Sequence, residues 1–574
     1  MAPLTCSARA DLETGKQLAR RAAPSRHAGG RYPRGCVDGG CRSAGIGPSL
    51  RYRRQHGGAG WLHAGQPVRQ HPCGARLHAA GARRQPHGQG LSVGAQLRHG
   101  GPYLLRGCEV GAPVTLAAAA ARCPALLIAA PASGQGKTTV TAALARLHAR
   151  QGRRVQVFKC GPDFLDPHWL ELASGAPVHQ LDLWMTGEQD CVERLHAAAQ
   201  QVDLILIEGV MGLFDGSPSA ADLAQRFGIP VLAVVDASAM AGTFGALAFG
   251  LRHYRPGLPW AGVLANRVGS ARHADMLRDG LRDAADWLGA MARVQPVGTA
   301  PGVGPKGGAL LPERHLGLVA AHELPDRMER LDAAADALLG TPLGAMDASA
   351  LLRWAVDFPV PLPSDPVPPL LEGRTVAVAQ DAAFCFVYAA NVQTLRDLGA
   401  RVVFFSPLND SELPDCDAVW LPGGYPELHT AQLAANTGMA SSLRAHVQAC
   451  KPVWAECGGM MALCDAITLA DGSTAPFWGL IPGRVTMQQR LAALGPQELT
   501  IGQHTLRGHT FHYSTGDISA AVATRTRRPQ DGSQAAPGAG EAVYRHRGIH
   551  ASYFHAWFPS SPQAVAHLLG ATAG

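Results

Sequence analysis

The sequence predicts an α/β protein in which two domains, each built on a parallel sheet, follow a disordered N-terminal segment. Three observations lead to this prediction. Apolar strands alternate with helical patterns in two separate regions, a proline-rich stretch divides these regions, and the start of the chain lacks a hydrophobic period. Such alternation is typical of βαβ units, whose helices cover a parallel sheet. We therefore divide the 574 residues into segments 1–122, 123–357, a linker 358–372 and 373–574.

Each region contributes its own set of predicted strands. Those of the first region are 126–130, 154–159, 204–208, 231–236 and 262–266, with helical patterns near 324–356. Those of the second are 375–379, 401–405, 418–421 and 452–456, followed by turn-rich, strand-like sequence at 476–515 and 543–558. Two loops rich in Gly and Pro, 296–309 and 526–541, interrupt the pattern.

The first 122 residues carry the basic excess of the chain. They hold 18 of the 51 Lys and Arg but 4 of the 44 Asp and Glu, which leaves 33 basic and 40 acidic residues afterwards. Their Arg- and Gly-rich composition cannot bury a core, so we expect disorder. A nucleic-acid-binding tail, a metal-binding segment and an extraneous stretch from a misassigned start all remain open. Because Cys36, Cys41 and Cys73 match no zinc spacing, and because Arg, Gly, Ala and Pro dominate GC-rich frames, we favour the extraneous stretch.

Composition excludes several protein classes. No apolar run approaches the roughly 20 residues that span a bilayer, and no secretory signal is recognisable at the N-terminus. The 13 Cys residues have no regular spacing, so they do not indicate a disulfide framework. We therefore expect a cytoplasmic protein without a membrane partner.

Residues 125–140 read as a strand, a glycine loop and a helix, the context of a phosphate-binding loop. Backbone N–H groups at a helix start attract anions. Lys137 would reach the β- and γ-phosphates of a nucleotide, and the Thr138 hydroxyl would bind Mg²⁺. Pro131 stands where the strict pattern has Gly. The predicted nucleotide-binding residues of this stretch, which the resemblance described below assigns to ATP, are Gly134, Gly136, Lys137, Thr138 and Thr139.

Acidic residues at two further strand ends predict a metal site beside this loop. The apolar strand 204–208 ends in Glu208, and the stretch 158–167 places Asp163 and Asp166 just past another strand. Ligands bind beyond the carboxyl ends of parallel strands. We therefore predict that Thr138, Asp163 and Glu208 hold Mg²⁺ through oxygen atoms, although Asp163 and Asp166 could also be simple turn residues.

The second region contains a candidate nucleophile. Cys457, in Trp454-Ala-Glu-Cys-Gly-Gly, follows an apolar strand and precedes a helix, so we expect it on a sharp turn whose N–H groups lower its thiol pKa. A partner base is needed, and the residues alone leave His555, His509 and His512 open. The predicted oxyanion loop consists of Gly423, Gly424 and Gly458.

Five motifs of the first region resemble the cobyrinic acid a,c-diamide synthase family: 130–139, 158–167, 208–216, 264–270 and 311–318. The resemblance runs from about residue 125 to the C-terminus and implies an amidating domain related to dethiobiotin synthetase. It places Asn266 near the adenine of ATP. It also places four residues at the carboxylate being activated: Lys159, Asp163, Asp166 and Asp182. Gln180 departs from the family, which usually has Asn there, and puts one substrate contact in doubt.

The second region resembles class I glutamine amidotransferase domains of the cobyrinic and cobyric acid synthase type. This resemblance selects His555 as the base that works with Cys457. Many class I domains carry Glu two residues after that His, but Trp557 stands there. Gln380 and Thr510 are two further departures, at positions where the family usually has Arg and Glu.

Together the two resemblances imply a ligase. It would use ATP, with Mg²⁺, and glutamine-derived ammonia to amidate the a and c carboxylates of cobyrinate or hydrogenobyrinate through a phosphorylated carboxylate. The expected partners are the corrinoid, glutamine and ATP, with a homodimer as a further option. Nickel-sirohydrochlorin a,c-diamide synthase and cobyric acid synthase are alternatives, and a partitioning-type P-loop ATPase is a remote one.

Overall fold

A computed structural model describes residues 120–293, 311, 313–314, 317–318, 321–364, 366–529 and 540–571. The predictions for residues 1–119, for the loop 296–309 and for the centre of the loop 526–541 lie outside these ranges. Within them, the chain has the predicted α/β architecture, a parallel-sheet region followed by a second α/β region.

The first sheet is built from strands rich in Leu, Ile, Val and Ala, which suit burial between two layers of helices. Its strands are β1 (Ala121–Ala129), β2 (Val155–Cys160), β3 (His179–Leu181), β4 (Leu204–Glu208), β5 (Val231–Asp236), β6 (Trp260–Val268), β7 (Trp287–Ala292) and β10 (Ala355–Phe358), while β8 (Glu313–Arg314) pairs with β9 (Gly317–Leu318). In the described chain the order is β3–β2–β4–β1–β5–β6–β7, all parallel, and β10 pairs antiparallel with the start of β1.

Helices cover both faces of this sheet, and a separate apolar cluster fills each side. The α-helices are α1 (Lys137–Arg150), α2 (Asp166–Ser174), α3 (Glu188–Gln201), α4 (Ala220–Phe227), α5 (Thr243–His253), α6 (Ala271–Asp279), α7 (Arg327–Leu339) and α8 (Ala348–Leu351). A π-helix spans Leu183–Gly187, and 3₁₀ turns span Ala284–Asp286, Ala321–Glu323 and Leu352–Trp354. No helix in the described ranges is long and apolar enough to cross a membrane.

The second sheet has the order β12–β11–β13–β14–β23–β22–β21, parallel as far as β23 and antiparallel beyond it. Two smaller sheets, β16–β15–β17–β20 and β18–β19–β24, complete this half. The strands are β11 (Thr375–Ala379), β12 (Arg401–Phe405), β13 (Ala418–Leu421), β14 (Val453–Glu456), β15 (Ala466–Thr468), β16 (Thr474–Pro476), β17 (Gly483–Met487), β18 (Ala493–Ile501), β19 (His504–His512), β20 (Ser514–Ile518), β21 (Ala521–Arg525), β22 (Ala542–His546), β23 (Ile549–Ser552) and β24 (Phe554–Ala556). The helices are α9 (Ala389–Asp397), α10 (Thr430–Ala435), α11 (Thr437–Gln448), α12 (Gly458–Leu463) and α13 (Pro562–Leu568), with 3₁₀ turns at Pro426–Leu428 and Phe558–Ser560.

The structure differs from the predicted elements at the edges of the first region. β1 begins at Ala121, so the last residues of the predicted N-terminal segment 1–122 belong to the sheet. The stretch 355–358, expected at the end of a helical pattern, is strand β10, because it pairs with residues 121–124. That pairing joins residues more than 230 positions apart, and a local pattern cannot reveal it.

Candidate active site

The loop between β1 and α1 has the geometry of a phosphate-binding loop. Gly136, the residue before the helix, has φ +94°, a conformation that side chains rarely adopt. A Cβ at this position would lie 2.2 Å from Nδ2 of Asn266. That amide donates a hydrogen bond to the carbonyl of Gln135 at 2.9 Å, so Asn266 braces the loop from the end of β6.

The side chain of Lys137 lies over this loop. Its Nζ donates to the carbonyls of Met211, at 2.6 Å, and Ala132, at 3.3 Å. Burial, together with the charge of Lys159, lowers the pKa of Lys137. The carbonyl of Pro131 faces Gly212, where a Cβ would approach to 2.7 Å.

Next to the loop, three carboxylates surround one buried ammonium group. Nζ of Lys159 lies 2.5 Å from Asp166, 3.2 Å from Glu208 and 3.4 Å from Asp163. The Thr138 hydroxyl donates to Oε1 of Glu208 at 2.6 Å, which attaches the cluster to the phosphate-binding loop. The structure thus brings together the predicted metal-site residues, and Lys159 lies at their centre.

Opposing effects set the charges in this cluster. Burial alone would lower the pKa of Lys159, but the three carboxylates outweigh it and raise that pKa well above its ordinary value. Burial raises the pKa of Glu208 to about 7 and that of Asp163 to about 6. For Asp166 the contact with Lys159 and further hydrogen bonds overcome burial and lower the pKa. The Lys159 ammonium thus neutralises part of the negative charge of the carboxylates, which a metal ion would otherwise balance.

The donor set also fits a magnesium ion. Oε2 of Glu208 is buried and has no hydrogen-bond partner among the described residues, while its other oxygen meets the Thr138 hydroxyl. In the described ranges no group of three or more His, Cys, Asp and Glu residues has the spacing of a metal cluster. Mg²⁺ is commonly held by one or two protein carboxylates together with water and substrate phosphates, so a sparse set is sufficient.

Two predicted substrate contacts serve the protein itself in the structure. Oδ1 of Asp182 accepts hydrogen bonds from the backbone of Trp184 and Met185 and caps the π-helix. Its remaining exposure is toward the large cavity described below. The Gln180 amide donates to the carbonyl of Asp163 at 3.2 Å, and its Oε1 is buried without a partner among the described residues. Gln180 therefore supports the Asp163 turn from behind.

Cys457 occupies the sharp turn that the sequence predicts. It lies between β14 and α12 with φ +43° and ψ −105°, a strained conformation for a residue with a side chain. Its N–H donates to the carbonyl of Ser552 at 2.7 Å. The expected lowering of its pKa is wrong in direction: burial, then the charge of Glu427, raises it, and the contact with the Gly458 N–H offsets only part of this. The thiol therefore depends on a neighbouring base.

The glycine loop after β13 lies against both the nucleophile turn and a histidine. A Cβ on Gly458 would lie 2.9 Å from the backbone nitrogen of Gly424. A Cβ on Gly423 would lie 2.4 Å from Cε1 of His555. The three predicted oxyanion-loop glycines therefore pack where side chains would not fit, and His555 lies against Gly423.

The contacts of the three histidines separate their roles. His512 uses both ring nitrogens, at 2.7 Å from the Ser514 carbonyl and 3.2 Å from Glu541. Nε2 of His509 is bonded to the Tyr388 hydroxyl at 2.9 Å. Burial, with the charges of the other two histidines, lowers the pKa of His555 well below its ordinary value, so its ring is neutral, and the ring lies against Gly423 of the loop beside Cys457. The geometry favours His555 as the base.

One cavity of about 860 Å³ connects the two regions. Its walls include Asp163 of the carboxylate cluster, Cys457 and His555. Between them stands Phe164, whose ring stacks on Tyr388, with centroids 4.2 Å apart, and lies 5.2 Å from the His555 ring.

Comparison with known proteins agrees with this two-part site. The model of the "CobQ/CobB/MinD/ParA nucleotide binding domain" matches residues 126–304, and that of the "CobB/CobQ-like glutamine amidotransferase domain" matches residues 375–563. The hydrogenobyrinate a,c-diamide synthase of Pseudomonas aeruginosa is 56% identical over 449 residues, covering 78% of this chain and 98% of the relative. This chain belongs to the a,c-diamide synthase family. Further members are the hydrogenobyrinate enzyme of Stutzerimonas stutzeri (56% identity; 78% and 98% covered) and the cobyrinate enzyme of Herminiimonas arsenicoxydans (48%; 77% and 96%).

The structure shows the surroundings of the three positions at which the second region departs from the family pattern. Thr510, where the resemblance leads us to expect Glu, donates its hydroxyl to Oε1 of Glu541 at 2.9 Å, so a carboxylate lies directly behind this position. Gln380 is exposed at the end of β11, and its backbone N–H bonds to the carbonyl of Phe405. Trp557, at the usual Glu position, is fully buried.

Two residues that join the two regions of this diamide synthase family member, Phe164 and Arg507, were not predicted from the sequence. Phe164 lies within a recognised motif, and its only signal is an aromatic residue inside a polar turn. Arg507 reaches from β19 to the carbonyls of Trp184, at 2.6 Å, and Thr186, at 3.4 Å, over a sequence separation of more than 300 residues. No local pattern indicates that contact.

Proposed function

We propose that this protein is an ATP-dependent, glutamine-hydrolysing ligase that amidates the a and c carboxylates of a corrinoid in cobalamin biosynthesis. The activity matches the names of relatives that are collinear with most of this chain. The observation that carries the proposal is the shared cavity. It places Cys457, His555 and Asp163, the last a member of the carboxylate–ammonium cluster, on the walls of one space.

In the first half-reaction, the thiol of Cys457 attacks the side-chain amide of glutamine. Neutral His555 takes the thiol proton and returns it to the leaving nitrogen, which departs as ammonia and leaves a thioester. The N–H groups of the Gly423–Gly424 loop and of Gly458 would face the developing oxyanion. Water then hydrolyses the thioester to glutamate and restores Cys457.

In the second half-reaction, a carboxylate of the acceptor attacks the γ-phosphate of ATP. The resulting acyl phosphate has a good leaving group, so ammonia forms the amide and expels phosphate. Lys137 can turn from its backbone carbonyls to the phosphates, and Lys159 places positive charge beside the reacting groups. Mg²⁺, held by Thr138, Asp163 and Glu208, would neutralise phosphate charge. Asn266, which donates to the Gln135 carbonyl of the loop, would lie near the adenine.

The dimensions of the cavity suit a large acceptor. About 860 Å³ is within the upper range of ligand pockets, and much of the wall is apolar, including Trp184, Met461 and Leu494. The two 56% identical relatives are named for hydrogenobyrinate, so we propose the metal-free corrinoid as the preferred acceptor and cobyrinate as the second. ATP and glutamine are metabolites of the cytoplasm, where we expect the protein to work.

The decisive experiment offers hydrogenobyrinate, cobyrinate and nickel-sirohydrochlorin separately to the purified protein with ATP, Mg²⁺ and glutamine. Amides are counted by mass spectrometry, and ADP and glutamate are measured in parallel. We expect two amides, two ADP and two glutamate per acceptor, with the larger kcat/KM for hydrogenobyrinate. Amidation of nickel-sirohydrochlorin alone would contradict the proposal, as would ATP hydrolysis without amide formation on any acceptor.

A further inference from the structure

The catalytic histidine lacks the carboxylate partner that its chemistry calls for. Nδ1 of His555 is buried and has no hydrogen-bond partner among the described residues. A base that shuttles protons through Nε2 works best when its other nitrogen is held in one tautomer. Trp557, two residues further along, offers only an indole and cannot serve as an acceptor.

A different carboxyl group faces this nitrogen. Glu456, the last residue of β14, is 1% exposed and directly precedes Cys457. Its Oε2 lies 3.9 Å from Nδ1 of His555. Its Oε1 accepts hydrogen bonds from Nε1 of Trp454, at 2.7 Å, and from the backbone of Ala556, at 3.3 Å. Donors on β14 and β24 thus fix one oxygen of Glu456, and the other oxygen faces Nδ1 of His555.

We propose that Glu456 is the positioning residue of His555 and takes the place of the carboxylate found elsewhere in class I amidotransferases. The separation of 3.9 Å exceeds hydrogen-bonding distance. A small rotation of the imidazole would close it, and catalytic hydrogen bonds are often long before substrate binds. A carboxyl oxygen can accept from Nδ1–H whether or not the group is protonated. Glu456 therefore fixes the tautomer in either state and, once ionised, also stabilises the imidazolium.

The protonation of Glu456 follows from its surroundings. Burial raises its pKa to about 8, although the contacts with Trp454 and Ala556 act in the opposite direction. His509 and His512 lower the pKa of His555, and the Cys457 thiol shares the cavity wall with it. The rate of glutamine hydrolysis should therefore increase as the pH rises through about 8, because Glu456 ionises there. This increase should be absent when the residue at position 456 cannot ionise.

The test compares Glu456→Gln and Glu456→Ala with the wild-type enzyme at saturating ATP and acceptor. We expect glutamine-dependent kcat to fall about 10²-fold in Glu456→Ala with little change in KM for glutamine. Glu456→Gln keeps an acceptor oxygen, so it should recover much of the rate at neutral pH but lose the rise near pH 8. Ammonia-dependent amidation should stay within about twofold in both variants, which shows that the fold and the ATP site are intact.

A second variant loosens Glu456 without touching it. Trp454→Phe removes the donor to Oε1, so we expect a smaller loss of glutamine-dependent kcat, about 3- to 10-fold. The same change made in Glu456→Ala should add almost nothing, because the two residues act through one contact. Additive losses would overturn the proposal, as would an unchanged pH profile or an equal loss of ammonia-dependent activity.

This inference rests on the proposed amidotransferase function, and the two can fail separately. A wild-type protein that releases no glutamate from glutamine would refute the function itself. A wild-type protein that does so, with Glu456 variants that keep its rate and pH profile, would refute only the positioning role.

Discussion

Phe164 is the side chain whose removal should separate the two half-reactions. Its ring stacks on Tyr388 and on Phe386, with centroids 4.2 and 4.9 Å apart, and borders His555. Stacked aromatic pairs contribute about 0.5–1.5 kcal/mol each beyond their buried area. Phe164→Ala should therefore weaken the packing between the two regions by about 1–3 kcal/mol. This changes the equilibrium constant between packed and separated regions by a factor of roughly 5 to 150.

The measurable consequence is lost ammonia. We expect wild-type protein to release close to one glutamate per amide, and Phe164→Ala to release about five or more. The assay determines glutamate and corrinoid amides in the same reaction. Phe164→Leu, which keeps apolar volume but no ring, should give an intermediate ratio.

Two controls make the result specific. Ammonia-dependent amidation by Phe164→Ala should remain within a few-fold of wild type, because its ATP site is unchanged. Phe249→Ala removes a comparable aromatic contact, with His253 on α5, at a place that does not border the cavity, and should leave the ratio near one. A ratio near one in Phe164→Ala, with both activities reduced together, would refute a coupling role.

Three further predictions address the separate centres. Cys457→Ala should abolish glutamine-dependent amidation and retain ammonia-dependent amidation. Loss of both in a kinetic assay would contradict the assignment of the two half-reactions to separate centres. Glu208→Gln should lower ATP-dependent amidation about 10²-fold or more with either nitrogen donor, since it removes charge beside the Thr138 hydroxyl, while glutamate release at saturating glutamine persists. The folded-state pKa of Glu456, about 8, lies above its ordinary 4.5, so its stabilising contribution is full below about pH 4.5 and is lost as the pH rises to 8. The free energy of unfolding of the wild type, measured by denaturant titration, should therefore fall across this window more steeply than that of Glu456→Gln, by at most about 1.4 kcal/mol per pH unit.

The parts of the molecule that local sequence determines could be predicted closely. Strands such as Leu204–Glu208 and Thr375–Ala379 lie where the apolar runs indicated, because a buried parallel strand needs a short continuous apolar run. The turn at Cys457 follows from a strand, two glycines and a helix in succession. Glu208 could be assigned to the candidate site because it is the last residue of a parallel strand.

Features that depend on burial or on contacts between the two regions could not be predicted. The pKa of Cys457 is raised because the turn is buried in the assembled cavity, whereas its sequence context suggests only a helix N-terminus. Thr510 looked like a lost carboxylate, and the structure supplies Glu541 from a different part of the chain. The missing partner of His555 likewise comes from the residue before the nucleophile, a relation that only the packing of β14 against β24 reveals.

The turn at residues 163–166 gives the two centres a short physical connection. Asp163 faces Lys159, and its Oδ1 accepts from the backbone N–H groups of Leu165 and Asp166. The next residue, Phe164, lies against His555. A change in the charge around Lys159, such as arrival of phosphate and acceptor, therefore acts on a carboxylate that holds the turn carrying this ring. Coupling between distant sites needs an element with contacts to both, and here two consecutive residues provide it without a longer pathway. We therefore expect ATP and acceptor to raise the rate of glutamate release from glutamine. Asp163→Asn, which keeps the turn's size but weakens its hold on Lys159, should reduce this increase more than it reduces the rate measured without ATP and acceptor, and an unchanged increase would refute the connection.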